Sequence, residues 1–220
     1  MTVKRYTLIG LLAALGLGAA AVLITIGTRT PVPEIKMPGV RVFSEPVVIK
    51  PFELKDHTGK TFNLESLEDQ WSVLFFGYTH CPDVCPATMA VMDAVAGQLP
   101  EPLQKSTQFV FVSVDPYRDT LEKLKEYVSY FNPSLIGVTG SKSAIDQLAQ
   151  QTGAIYEFED AKTHELIRDT ATLGPERDYL VGHFAGLMII DPDGRLVSHI
   201  LPPHDPDRVI EVLSRFQGID

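Results

Sequence analysis

Apolar positions change their spacing several times along the chain, and each spacing predicts an element. "WSVLFFGY", Trp71 to Tyr78, is a near-continuous apolar run, the pattern of a strand buried on both faces. "TQFVFVSVD", Thr107 to Asp115, is a second such strand, and "LIGVTG" is a shorter one. Helical spacing follows each: Met89, Met92, Ala96 and Leu99, then Leu121, Leu124, Val128 and Phe131. "SKSAIDQLAQQTG" reads as a helix with Ser141 as cap and Gly153 as stop.

Before these, "KPFELKDHTGKTFNL" predicts a hairpin about a His-Thr-Gly turn. After them, "HFAGLMIIDPDGRLVSHI" predicts two apolar strands about Asp193-Gly194, with His183 at the start of the first. "DPDRVIEVLSRF" closes the chain as a helix, with Asp205 as N-cap and Pro206 at its first position. The polar stretch from Glu157 to Tyr179 reads as an excursion, with a weak strand signal near "ELIRD". Strands alternating with helices and ending in a hairpin and a helix describe an α/β, thioredoxin-like fold.

The N-terminal pattern differs. "TLIGLLAALGLGAAAVLITIG", Thr7 to Gly27, carries no charge. At a helical rise it reaches about 30 Å, the thickness of a bilayer core. Lys4 and Arg5 precede it, which by the positive-inside rule puts the N-terminus in the cytoplasm and the body across the membrane. A cleaved signal peptide is the competing reading, through Ala19-Ala20-Ala21, but "VLITIG" continues apolar beyond those residues. The expectation is a retained single-pass anchor over residues 1–27 in a bacterial inner membrane. A proline-bearing linker follows over 28–46, most clearly Thr28 to Gly39, and then a periplasmic domain over 47–220.

Composition narrows the partners. The net charge is −9, and the first thirty residues hold three basic residues and no acidic one, so the body is more acidic still. That argues against nucleic acid as a partner. Two cysteines among 220 residues are too few for a disulfide scaffold, so chemistry is the better explanation for them.

Those cysteines, Cys81 and Cys85, lie in "GYTHCPDVCP" at the carboxyl end of the first buried strand. Open α/β sheets place their chemistry there. Three residues separate them, where a thioredoxin-type dithiol has two. Spacing of four on one helical turn puts both sulfurs on one face, able to converge on an ion or, with some strain, to bridge. A helix N-terminus nearby favours thiolate. Two thiolates are a soft donor set, suited to Cu(I) and also to Zn(II), and a mononuclear site needs a further ligand.

Six histidines are available. His80 is better placed to raise thiolate character than to reach the same ion. His199 and His204 read as solvated turn residues, and His164 lies in the polar excursion. His57 falls in the predicted hairpin turn. His183 is the candidate ligand, because the loop before its strand approaches the cysteine turn in a thioredoxin-like sheet. Met89 and Met92 read as core. Asp119 reads as a helix cap for the Leu121 helix. Neither cysteine has a threonine three positions before it, which excludes the Pro-x-x-x-Thr-x-x-Cys pattern of thiol peroxidases.

"GYTHCPDVCP", "VSVDPYRDT" and "DYLVGHFAGLMIIDPDGRLV", in that order behind one apolar N-terminal segment, resemble the Sco/SenC family from about Phe52 to Phe216. The resemblance implies a membrane-anchored, copper-binding protein that helps assemble the copper centre of cytochrome c oxidase. It implies Cys81, Cys85 and His183 as copper ligands, with Cu(I) favoured and Cu(II) as the alternative state, and Asp115 as an acidic neighbour. Implied partners are the copper-bearing oxidase subunit and another copper carrier or a thiol reductase. The rival from another class is a thiol–disulfide oxidoreductase using Cys81 and Cys85 as a redox pair. The sequence departs from the family pattern beside the histidine. Val181-Gly182-His183-Phe184 stands where Val-Asp-His-Ser is common, so a polar neighbour that orients the imidazole is missing.

Overall fold

The computed structural model describes residues 33–219. The expected anchor, Thr7–Gly27, and the start of the linker lie outside them, and among the described residues no helix is long and apolar enough to cross a membrane. The body is a mixed α/β fold of thioredoxin type. Its strands are β1 (Val40–Val48), β2 (Glu53–Asp56), β3 (Thr61–Asn63), β4 (Trp71–Gly77), β5 (Thr107–Ser113), β6 (Ile136–Thr139), β7 (Tyr156–Asp160), β8 (Tyr179–His183), β9 (Leu187–Ile190) and β10 (Arg195–Ile200). Its helices are α1 (Val84–Gln98), α2 (Glu101–Ser106), α3 (Leu121–Phe131), α4 (Lys142–Thr152) and α5 (Pro206–Gln217).

Eight strands form one sheet in the order β1-β10-β9-β4-β5-β6-β2-β3, and β7 and β8 form a separate antiparallel pair. The apolar runs read as doubly buried strands are the central β4 and β5. From Val73 to Phe76 and from Val110 to Val112 these strands are almost inaccessible to solvent. They pair in parallel from Trp71 opposite Thr107 to Gly77 opposite Ser113. Both strands therefore end at the same level, and Val114 N–H donates to Gly77 O at 2.8 Å just beyond. The segments after Gly77 and after Ser113 leave the sheet side by side, and the site is built on them.

The structure corrects the sequence reading at several places. The domain boundary expected at residue 47 falls inside β1, which pairs antiparallel with β10 from Val40 opposite Ile200 to Val48 opposite Arg195. Its register breaks between Val42 and Val47. An edge strand is ordered by backbone hydrogen bonds along one side, so its side chains need show no regular alternation. The short helix α2 was hidden because Pro100 and Pro102 look like breakers. Proline is tolerated in a first helical turn, where its missing N–H would lack a partner anyway.

His183 does not begin the apolar hairpin strand. It ends β8, opposite Tyr156 of β7, and the hairpin is β9 with β10. The excursion thus supplies the strands that carry the histidine, while "ELIRD" contributes only an isolated bridge from Leu166 to Glu159. His199 is not a solvated turn residue either. It lies buried in β10, donating from Nε2 to Thr152 O at 2.9 Å.

The cap of α3 is Thr120, whose hydroxyl accepts from Lys123 N–H, and Asp119 is turned inward instead. Replacing Thr120 by Ala should lower unfolding free energy by about 1 kcal/mol, the usual worth of a threonine cap. Urea denaturation of the reduced domain checks this. A loss under a few tenths would deny Thr120 the capping role.

Candidate metal centre

The cysteine turn begins where β4 stops. After Gly77 the chain turns back, Cys81 N–H donating to Tyr78 O at 3.2 Å, and α1 starts at Val84. Pro86 falls in the first turn of α1, where no donor is needed. Cys85 is therefore a first-turn residue, and its N–H donates to Cys81 Sγ at 3.4 Å. Cys85 is fully buried and Cys81 partly so. Burying Cys85 requires space over the strand end. A Cβ on residue 77 would lie 2.7 Å from Cys85 Sγ and 2.8 Å from Phe111 Cε2, so only glycine fits beneath the sulfur.

His183 reaches the same point from β8. Its Nε2 lies 3.2 Å from Cys85 Sγ. One donor atom each from Cys81, Cys85 and His183 all fall within 4.8 Å of one another. The structure brings the three sequence-selected residues together from positions about a hundred residues apart.

The imidazole is oriented without a polar side chain at position 182. Its Nδ1–H donates to Phe184 O at 3.3 Å, which turns Nε2 toward the sulfurs. Phe75 and Tyr78 meet the ring edge-on, with centroids at 5.8 and 6.0 Å. A backbone carbonyl and two aromatic walls thus hold the ring where the family pattern commonly has an aspartate. With no side chain at Gly182, one flank of His183 opens on a cleft of about 330 Å³ that Tyr156, Glu157 and Phe184 also line.

The two thiols are inequivalent. A hydrogen bond from the Cys85 thiol pulls the Cys81 pKa down to about 4, against the opposing effect of burial. His183 and the backbone N–H groups of Asp83 and Cys85 add to the lowering. The Cys85 thiol moves the other way, raised by that same bond to Cys81 and by its burial. The reduced, metal-free pair is a thiolate at Cys81 held by a thiol at Cys85.

The acidic residues serve the frame. Asp115 is fully buried, accepting from Arg118 Nε at 2.6 Å and from Tyr179 O–H at 2.6 Å. Arg118 also donates from one terminal nitrogen to Tyr179 O at 3.0 Å and stacks 3.5 Å over the Tyr179 ring. Tyr179 opens β8, so this cluster ties the histidine strand to the end of β5. Asp119 accepts from Thr79 N–H at 2.9 Å, Thr79 O–H at 2.6 Å and Ser113 O–H at 2.6 Å. That bolts the cysteine turn to the same place. The "DPYRD" stretch accordingly holds both ligand-bearing segments, which capping logic for Asp119 missed.

Other candidates separate from the site. His57 Nδ1 accepts from Gly137 N–H, and His204 Nε2 donates to Ala185 O at 2.7 Å. His164 sits beside Glu159 in the excursion. Met89 and Met92 are core residues of α1. Sequence reasoning overlooked Gly77, Phe75, Tyr78 and Tyr179. Only Gly77 carried a signal, as a glycine closing an otherwise bulky strand.

Residues 43–217 match the family model described as SCO1/SenC. A "Putative copper-binding protein" of Stutzerimonas stutzeri is 36% identical over 165 residues, covering 75% of this chain and 74% of that one. "Protein SCO2, mitochondrial" of Saccharomyces cerevisiae is 33% identical over 161 residues, covering 73% of this chain and 50% of that one, so the match spans half of the yeast protein. Among solved structures, Arabidopsis thaliana ScoI with copper bound superposes with a TM-score of 0.66 at 31% identity, over 78% of this chain and 99% of that one. The chain belongs to the SCO1/SenC family.

Proposed function

We propose that the protein binds copper, Cu(I) in preference, through Cys81, Cys85 and His183, and serves assembly of the copper centre of cytochrome c oxidase. The observation that carries the reading is the meeting of two sulfurs and one imidazole nitrogen within 4.8 Å. Two thiolates and an imidazole suit Cu(I), a soft ion content with three donors. A copper-bound structure in the same family supports the choice of copper over zinc. The role extends to delivering copper to the oxidase subunit, or to preparing that subunit's thiols. The apolar segment Thr7–Gly27 anchors the protein in the bacterial inner membrane with the folded body, β1 included, in the periplasm. This reading rests on its length, its lack of charge and the basic residues before it.

One observation favours a second role for the same pair. A partly exposed thiolate backed by a buried thiol is the arrangement of an attacking and a resolving cysteine. Copper binding and disulfide formation compete, since each uses both sulfurs.

Three outcomes are expected. His183→Ala should weaken Cu(I) binding by more than about a hundredfold, beyond the roughly 10–100-fold that loss of an outer hydrogen-bond partner costs. Titration against a competing Cu(I) chelator measures it, and unchanged affinity would remove His183 from the site. Disulfide exchange with a partner, undiminished in the same variant, would shift the assignment toward the oxidoreductase. Gly77→Ala should displace the Cys85 sulfur and weaken Cu(I) binding by about tenfold or more, because the new methyl overlaps it. Wild-type affinity in a folded Gly77→Ala protein would refute the packing argument.

The third outcome concerns pH. Cys81 has its folded pKa lowered to about 4, so its thiolate is fully formed above that value and is lost only as the pH falls through it. Alkylation of the reduced, metal-free protein by iodoacetamide should therefore be nearly flat from about pH 6 to 8. An ordinary thiol of pKa ~8.5 would react about tenfold faster per unit over that range. A tenfold rise per unit would contradict the lowered pKa.

A further inference from the structure

His80 stands immediately before Cys81 and takes no part in the three-donor cluster. Its side chain is 44% exposed. Its Nδ1 lies 3.1 Å from Thr79 Oγ1, and Oδ1 of the fully buried Asp119 is 3.6 Å from the same nitrogen. It is thus engaged on one side by a threonine hydroxyl and a carboxylate, not by the neighbouring sulfur.

Those contacts decide which ring nitrogen carries the proton. The Thr79 hydroxyl has one hydrogen, and it is donated to Asp119 Oδ1 at 2.6 Å. Thr79 Oγ1 can then only accept from Nδ1. The Asp119 carboxylate 3.6 Å away asks for the same, since a ring lone pair facing it would be repelled. Both place a hydrogen on Nδ1, so Nε2 is the ring nitrogen left for a further partner. A histidine oriented through Nδ1 by a hydroxyl–carboxylate relay, with Nε2 free, is the form in which histidine binds metals.

Exposure is graded along the same turn. His80 is exposed, Cys81 partly buried and Cys85 inaccessible to solvent. An ion moving between the cluster and solvent has to leave Cys85 before Cys81. We infer that His80, through Nε2, is a transient copper ligand on this path, holding Cu(I) as it enters or leaves the site of Cys81, Cys85 and His183. The inference rests on the copper reading above. On release the step is a ligand exchange: the Cu–Sγ bond to Cys85 breaks, a Cu–Nε2 bond to His80 forms, and the freed Cys85 thiolate takes a proton from the buffer; capture runs the same exchange backwards and returns that proton. No electron moves.

The test uses the full chain in detergent under anaerobic conditions. Capture of Cu(I) from its acetonitrile complex and release to bathocuproine disulfonate are followed by stopped flow. His80→Ala should slow both steps by a common factor of about tenfold. The dissociation constant, measured separately by equilibrium competition with bathocuproine disulfonate, should stay as in the wild type, because the other three donors set it. Free imidazole should restore the rate by supplying the missing nitrogen. His80→Asn keeps an N–H for Thr79 but offers an oxygen in place of the imidazole nitrogen, and it should be as slow as Ala. Rates within twofold of wild type, slowing that imidazole does not relieve, or wild-type rates in His80→Asn would each overturn the relay. A wild-type chain that binds no Cu(I) would sink the copper reading along with it, whereas binding with unchanged exchange rates sinks the relay alone.

Discussion

The site depends on one steric constraint, the approach of the Cys85 sulfur to the backbone at the end of β4. There is room for it only because residue 77 has no side chain. The first turn of α1 can therefore lie back over the strand end, which buries Cys85 and leaves Cys81 nearer the surface. Parallel pairing of β4 with β5 adds to this, because two strands ending level release two turns next to each other. A cysteine pair on an exposed turn would have no such asymmetry.

From that asymmetry the electrostatics follow. The buried thiol cannot ionise cheaply and donates to its neighbour, and the neighbour is stabilised as a thiolate. The imidazole faces the same sulfurs through Nε2, because its other nitrogen is committed to the Phe184 carbonyl. The three donors are pre-arranged before any ion arrives, so little ordering is left for binding to oppose.

The frame beneath is polar and buried, which is unusual for a support. Asp115, Arg118 and Tyr179 hold one another around an ion pair. Removing one member would strand a buried charge, so such a cluster fixes geometry more than it adds stability. Asp119 does the same for the cysteine turn through Thr79. Both carboxylates come from the single turn that follows β5. Displacing that turn would move the cysteines and the histidine together.

Much of this was legible in the sequence for a physical reason. Doubly buried strands and amphipathic helices write their environment into residue spacing, so β4, β5, α3, α4 and α5 could be read directly. The cysteine turn was legible because its spacing and its place at a strand end are local. Two kinds of feature were not. The edge strand β1 is ordered chiefly by backbone hydrogen bonds and shows no side-chain period, while the β7–β8 pair buries only Phe158, Tyr179 and Val181, too short an alternation to stand out in a polar stretch. The roles of Gly77, Asp119 and Tyr179 depend on partners far along the chain, and a capping residue and an inward-turned clamp look alike until those partners are in place. The sequence determined which atoms are available for a soft metal ion. Only the tertiary structure decided that they meet, since His183 is carried to the cysteines by a strand pairing and a buried ion pair that no local pattern encodes.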